Sequence, residues 1–363
     1  MEVAIFGAGA AGLMTAITLC ERGHRCRIYE RSRQSHEAGM GFILMREGVD
    51  LLRSHGVHLD AVPLRSYVCR DSAGNILMEK PMPEGACAIR RRDLMAALMR
   101  ALPPDAALTF GAELERLEFD RATGRVTAAC LASGAGPARI QADLYAGADG
   151  IHSQARLALF PEWPAPAAQV MELVGRVRCP VSIAWAGHKF NKFHALSGGL
   201  ALGIIPVDAH HVVWYMQFDS RGFPPPRGNA GPEALRAFAR SLAGGWGHPI
   251  PSLLQETDFS DVHLWRPVDT DLIPYFHRHN LVLVGDAAHP LSPFTSQGVS
   301  SALADADALA RHLDAQPDPE EALELYTSER RRQCAPFIAQ GRELTRQFLS
   351  VWDASRLSMP LAK

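Results

Sequence analysis

Residues 3–30 read VAIFGAGAAGLMTAITLCERGHRCRIYE, and this stretch decides the fold. An apolar run, Val3 to Phe6, leads into Gly7, Gly9 and Gly12. A helical spacing follows, then a second strand ending at Glu30. A strand, a GxGxxG turn, a helix and an acid 18 residues past the last glycine stand in the order that dinucleotide binding requires. Gly7 permits the tight turn, Gly9 lets a pyrophosphate approach the backbone, and Gly12 lets the helix pack closely on the strand. Ala11 lies in the same turn, at a helix N-terminus whose oriented N–H groups and partial positive charge suit phosphate. Glu30 is placed to accept hydrogen bonds from ribose hydroxyls. The expectation is a chain that binds a dinucleotide.

The bulk properties narrow the class. The chain has 363 residues, 47% of them hydrophobic, with a formal net charge of -2. That balance gives no reason to expect nucleic acid or an acidic membrane surface as a partner. Arg90 to Arg92 and Arg330 to Arg332 are short cationic clusters, and the second reads as a solvated helical face. Seven scattered cysteines without a CxxC suit a reducing compartment and argue against disulfides or a structural metal. The first strand begins at the N-terminus, leaving no room for a signal peptide, and the longest apolar runs are too short to span a bilayer. A cytoplasmic enzyme is expected.

Residues 48–55 and 93–102 carry helical spacing, while 108–110, 114–119, 126–131 and 144–148 read as strands. A Pro/Ala-rich stretch, 160–168, marks a crossing into another region. From 169 to 270 the pattern turns β-rich, with strands at 170–177, 200–207, 212–218 and 262–268, and one helix at 232–242. An apolar strand at 280–284, a helix from about 298 and a helix or helix pair over 320–348 complete the chain. The expected fold is α/β. A discontinuous Rossmann-like nucleotide domain (1–168 and 271–363) carries the C-terminal helices and holds an inserted mixed β-sheet substrate domain (169–270).

Two further motifs narrow the nucleotide. GADGIHSQAR contains Gly147, Asp149, Gly150, Ser153 and Arg156; LVLVGDAAHPLSPFTSQG contains Gly285, Asp286, His289, Pro293 and Gly298. Together with GAGAAG, they resemble the fingerprints of flavin-dependent aromatic hydroxylases, the single-component p-hydroxybenzoate hydroxylase-like monooxygenases. The resemblance covers nearly the whole chain and implies FAD. Asp286 would meet ribityl or ribose hydroxyls, and Asp149 would be linked to FAD and nicotinamide-cofactor binding. The spacing of IRRRDL makes Arg91 the FAD contact, with Arg90 and Arg92 as alternatives. Arg31 could reach the adenosine ribose or a phosphate. Gly41 opens a segment that would lie along the flavin, and Arg46 in it could approach the ring or the phosphates. Pro293 would lie beside the isoalloxazine, while Gly298 and Val299 open a helix that would point at its pyrimidine edge. The resemblance implies that NADPH or NADH reduces the flavin, directly or through a flavin reductase. O2 would then add at C4a, and the C4a-hydroperoxyflavin would hydroxylate or epoxidise a small aromatic substrate.

The catalytic acid or base stays open, with Pro293, His289 and Arg46 as weak candidates. Trp214, Tyr215, Trp265 and His194 are candidate pocket residues on sheet strands, each more simply read as core packing. Ser296 stands where the family has a glycine and Ser300 where it has an asparagine. A flavin-dependent halogenase, an isoprenoid double-bond reductase and a catalytically weak flavin-binding partner protein are the rival readings. The chain stops near 363, so the thioredoxin-like domain of some longer relatives is expected to be absent.

Overall fold

The computed structural model describes residues 1–34, 40–134, 136–163, 168–228 and 230–353. The GxGxxG unit folds as expected: strand Glu2–Phe6, helix Ala10–Cys20 and strand Arg25–Glu30. These strands belong to a six-stranded sheet whose order is His277–Arg278, Leu281–Leu283, Leu144–Gly147, Glu2–Phe6, Arg25–Glu30, Ala107–Phe110. All neighbours run parallel except the edge strand His277–Arg278. Val3, Ala4, Ile5 and Leu281 to Leu283 are fully buried, as an apolar run covered on both faces should be. Helix Ala10–Cys20 is buried nearly all round, because helix Gly298–Ala315 packs along it. Thr18 fastens the pair by donating across to the Ala306 carbonyl at 3.1 Å. The meander Ala112–Phe119, Val126–Ser133 and Ala138–Ile140 joins the same core.

A second, seven-stranded sheet runs in the order His263–Trp265, Val170–Val177, Val212–Asp219, Leu200–Pro206, Lys189–His194, Ser66–Asp71, Ile76–Pro81. It is mixed, since Lys189–His194 pairs parallel with Ser66–Asp71 and the other pairings are antiparallel. Three of its strands escaped the sequence reading: Lys189–His194, and the hairpin Ser66–Asp71 and Ile76–Pro81, which comes from outside the 169–270 block. The strand expected over 262–268 is realised only at His263–Trp265. Part of the Pro/Ala-rich crossing, 164–167, lies outside the described residues.

Alternation divides this second sheet cleanly. Leu173, Met216, Leu202 and Phe193 form one cross-strand row, and they pack with helices Pro232–Ala243 and Ile250–Glu256. Trp214 lies on this packed side, where its indole N–H donates to Thr257 Oγ1 at 3.0 Å. The opposite face carries Val174, Tyr215, Gly203, Lys192 and Cys69 in one row, and Glu172, Gln217, Ala201 and His194 in the next. A single helix, Pro319–Leu349, is the last described element; Asp318 caps it by accepting from the Glu320 N–H at 3.0 Å, with Pro319 in the first turn. Among the described residues no helix is long and apolar enough to cross a membrane.

Gly175 sits directly opposite Trp214, and a Cβ there would lie 2.7 Å from the buried indole. Gly175→Ala is therefore expected to lower stability by about 1–3 kcal/mol through overpacking. Gly245→Ala, where an added Cβ meets nothing within 4 Å, should stay within about 0.5 kcal/mol. Urea unfolding of both variants checks this, and equal midpoints would refute it.

Candidate functional site

Three turns meet at the carboxyl ends of three adjacent parallel strands, where open α/β sheets bind ligands. The first follows Phe6. Gly7 has φ +102°, and a Cβ on it would lie 2.3 Å from the Ala148 carbonyl oxygen. A Cβ on Gly12 would lie 1.9 Å from the Gly7 oxygen, whereas one on Gly9 would meet nothing within 4 Å. The turn is thus packed shut at Gly7 and Gly12 and open at Gly9. Helix Ala10–Cys20 starts there with no side-chain cap and no acid in its first turn, so its N–H groups remain available to an anion. Glu30 braces the turn by accepting from the Ala8 N–H at 2.8 Å and the Ser32 N–H at 2.9 Å. Burial would raise its carboxyl, but these bonds and the Arg31 charge bring it below the usual range.

The second turn holds Asp149, which accepts from the Ser153 hydroxyl, from the Gln154 N–H at 2.7 Å and from the Ala155 N–H at 3.1 Å. It is a helix-capping carboxylate, and burial raises its pKa against those donors. The third turn is Gly285–Ala287, with Gly285 at φ +61° and an added Cβ there 2.9 Å from that of Ala11. Arg156 is buried and ties the second and third turns together. It donates to the carbonyls of Asp286 at 2.9 Å, of Ala287 at 3.0 Å, and of Ile151. Asp286 itself makes no side-chain hydrogen bond among the described residues. Its side chain is solvent-accessible although protein surrounds it, as at the floor of a groove. That enclosure raises its pKa, while the charges of His289, Arg91 and Arg156 act to lower it. Arg91 is exposed and makes no ion pair among the described residues. Arg90 is held by Asp93 and by Asp208 at 2.8 Å, and Arg92 lies 3.6 Å from Asp93. Of the three arginines, Arg91 is the one left facing Asp286.

Behind the third turn lies a buried ionic knot that the sequence reading missed. Asp305 accepts from the Gly285 N–H at 2.6 Å, from His289 Nε2 at 2.6 Å and from Arg330 Nε at 2.6 Å. Arg330 donates further to the carbonyl and hydroxyl oxygens of Ser301, both at 3.0 Å. Arg330 is 3% exposed, which corrects the expectation of a solvated face at 330–332. His289 is fully buried in this knot, with Nε2 spent on Asp305 and Nδ1 unpartnered. Burial would depress its imidazole, but the Asp305 charge wins and holds it well above the usual histidine range. His289 therefore braces the turn through Asp305.

The remaining expected residues scatter. Arg46 starts helix Arg46–Ser54 at the surface, paired with Asp50 at 3.2 Å and Glu84 at 3.7 Å. Arg31 is exposed beside Glu30. A Cβ on Gly41 would press 2.5 Å from Val207 Cγ1, so the close approach requires glycine. Pro293 begins a short 3-10 turn, Pro293–Thr295, and Gly298 and Val299 open the helix after it. Ser296, between them, has φ +54°. The backbone there is left-handed, which accounts for the family's glycine. Ser300 Oγ is buried without a partner.

Phe294, next to Pro293, walls a cleft between the second sheet and helix Pro319–Leu349. Tyr67, Lys192, His194, Leu344 and Phe348 line it with Trp352, whose ring lies 4.7 Å from that of His194. Of the aromatic candidates, His194 lines this cleft and Tyr215 points to the same side of the sheet, whereas Trp214 is core and Trp265 is exposed. Lys192 Nζ donates to Gln217 Oε1 at 2.7 Å, and Gln217 donates on to Glu172 Oε1 at 2.6 Å. Burial pushes the Lys192 ammonium down to about 8, against the pull of Glu172 and Cys69. It pushes the Glu172 carboxyl up to about 7, against the Gln217 hydrogen bond and the Lys192 charge.

Asp305→Ala would strand Arg330 in the interior and should cost about 3–5 kcal/mol, read by urea unfolding. Ser296→Gly should gain about 0.5–1 kcal/mol, the left-handed cost of roughly 1–2 less the roughly 0.5–1 of freedom that glycine gives up. A lower midpoint for Ser296→Gly would show that the hydroxyl contributes more than the backbone argument allows.

Comparison with known proteins agrees with this geometry. The family model described as FAD binding domain matches residues 1–340. The chain is 30% identical to 3-amino-4-hydroxybenzoate 2-monooxygenase of Streptomyces cremeus, over 96% of this chain and 88% of that protein. It is 27% identical to 6-hydroxynicotinate 3-monooxygenase of Pseudomonas fluorescens, over 86% and 82%. Klebsiella pneumoniae HpxO, solved with FAD and uric acid, shares the fold at TM-score 0.83 and 22% identity, over 96% of this chain and 89% of that one. The chain belongs to the FAD binding domain family, among the flavin-dependent aromatic hydroxylases, and is an FAD-dependent monooxygenase.

Proposed function

We propose that this enzyme uses NADPH or NADH and O2 to hydroxylate or epoxidise a small aromatic substrate held in the cleft beside Phe294. The observation that carries this reading is the position of that cleft. It is lined by Phe294, Phe348, Leu344 and Trp352, and it adjoins the Pro293 turn. The relatives named for 3-amino-4-hydroxybenzoate and 6-hydroxynicotinate support an aromatic ring as the occupant.

The residues present fit the cofactor. The open side of Gly9 and the uncapped helix at Ala10 and Ala11 would receive the pyrophosphate, with Gly7 and Gly12 setting the approach. Glu30 and Arg31 would hold the adenosine end. Asp286 and Arg91, an acceptor and a cation left without a protein partner among the described residues, would hold the ribityl and phosphate portion between them. The close packing at Gly41 shapes one wall, and the Pro293 turn with the N–H groups of Gly298 and Val299 would meet the flavin ring. Asp149 and His289 would act indirectly by fixing the turns. Bound FAD supplies the redox chemistry: it accepts a hydride equivalent and transfers one atom of O2. The protein orients the ring, excludes water and stabilises negative charge on the reduced flavin with a helix N-terminus. A small substrate, O2 and the reductant are the partners this reading needs, with a separate flavin reductase as the alternative electron source.

Removal of the Asp286 carboxylate should leave the fold intact and weaken FAD binding by roughly ten- to a hundredfold, the worth of a charge-assisted hydrogen bond of about 1.5–3 kcal/mol. Flavin content of purified Asp286→Ala measures this; full occupancy would place the cofactor elsewhere. For the wild-type enzyme, incubation with NADPH, ¹⁸O2 and a panel of aromatic compounds tests the reaction. A product carrying one ¹⁸O atom is expected. Reduction of a substrate double bond without oxygen uptake would favour a reductase instead.

A further inference from the structure

The face of the second sheet that looks into the cleft carries a charge the apolar walls do not explain. Lys192 is 3% exposed, Glu172 4% and Gln217 2%. Lys192 stands on the strand Lys189–His194, and its cross-strand neighbours on either side are Cys69 and Gly203. Its side chain reaches across the intervening strand to Gln217, which is possible because that strand offers the small residues Gly203 and Ala201 between the two. Glycine is required at 203, since a Cβ there would lie 2.3 Å from the Tyr215 ring. The sheet has cleared a channel for one long cation.

The ammonium has three N–H donors, and among the described residues one hydrogen bond is accepted from it, by Gln217. The rest of its surroundings are aromatic: Nζ lies 5.1 Å from the Phe294 ring centroid and 5.7 Å from that of Tyr215. Rings attract a cation but accept no hydrogen bond of comparable strength, so two N–H groups remain to be satisfied in a buried site. His194, with a buried Nε2 that finds no partner among the described residues, lines the same cleft. The groups facing Lys192 from the packed elements are Glu172, Cys69, His194, Tyr67 and Tyr215. Glu172 is the carboxylate reached through Gln217, and Asp353 is a second carboxylate that lines the same cleft.

We infer that Lys192 is the specificity-determining residue of the cleft, binding an oxyanion carried by the aromatic substrate, and that Glu172 acts through Gln217 to position and tune it. This rests on the reading of the cleft as the substrate site. An oxyanion on the ring would take the free N–H donors of Lys192 while the ring packs against Phe294, Phe348 and Trp352. The oxyanion is a phenolate or a carboxylate; the chemistry that recognises either is the same.

The test uses FAD-loaded enzyme and 4-nitrophenol, whose visible absorption separates phenol from phenolate. Difference spectra should show the bound probe as phenolate below the pH at which it ionises free in solution. Lys192→Met should weaken phenolate binding roughly tenfold or more and abolish that spectral shift, whereas Lys192→Arg should restore the shift. Capture should fade as pH rises through the Lys192 pKa, and in Glu172→Gln, which removes the anion supporting the ammonium, it should fade at lower pH. Displacement of the probe by benzoate and not by benzamide would assign a carboxylate; displacement by neither would leave the phenolate. Neutral 4-nitrophenol bound equally by wild type and Lys192→Met would overturn the inference, and an unmoved pH profile in Glu172→Gln would remove Glu172 from it. Protein that captures the phenolate but holds no FAD would sink the monooxygenase reading alone. FAD-loaded enzyme that hydroxylates neutral aromatics and ignores 4-nitrophenolate would sink the Lys192 assignment alone.

Discussion

The carboxylate of Asp305 has no exposure to water and three protein donors, from a backbone turn, an imidazole and a guanidinium. Burying such a charge costs several kcal/mol, and the arrangement is tolerable only because all the donors point at it together. That requirement fixes the relation of helix Gly298–Ala315, helix Pro319–Leu349 and the Gly285 turn. The aim of Asp286 follows from it, since the preceding N–H is one of the three donors. Arg156 grips the same turn from the other side through two carbonyls. The groove-facing carboxylate thus owes its position to groups that never face the groove.

The second sheet solves a different problem with the same economy. One face is apolar and covered by helices; the other must present a polar group to a cleft without admitting bulk water. Small residues at 201 and 203 give Lys192 its path, and Gln217 relays its contact with Glu172. The buried polar chain Lys192–Gln217–Glu172 is therefore matched within the sheet and turned toward the cleft at its Lys192 end. The polarity of the cleft is concentrated at one point, which favours ligands whose charge is local.

Much of the nucleotide layer was legible because its signals are local. GAGAAG places three glycines within six residues, and the turn they form is closed to a side chain at Gly7 and Gly12. Ser296 is a local signal too, where a departure from the family glycine marks a left-handed backbone. What escaped reading depends on contacts between distant residues. Arg330 looks like one of three surface arginines until Asp305 is placed against it, and nothing in either segment announces the other. Lys192, Gln217 and Glu172 lie on three strands, and only the register aligns them. A buried lysine between Phe190 and Phe193 in KFNKFH was the one available hint, since alternation there buries both faces. The helix-capping bonds of Asp149 escaped reading for a related reason, since they appear only once the turn and the next helix are placed together.

The parallel pairing of Ser66–Asp71 with Lys189–His194 has a consequence for biosynthesis. Glu79 and Lys189, which form an ion pair at 3.0 Å across this edge of the sheet, are 110 residues apart in the chain. At translation rates of about 5–20 residues per second, the hairpin leaves the ribosome on the order of ten seconds before its neighbouring strand exists. During that interval one edge of Ser66–Asp71 offers unpaired backbone groups beside apolar Tyr67 and Val68, the kind of edge that recruits other strands. Nascent chains of this protein should depend on chaperone cover at that hairpin, and crowded synthesis at high temperature is where its yield would fall first.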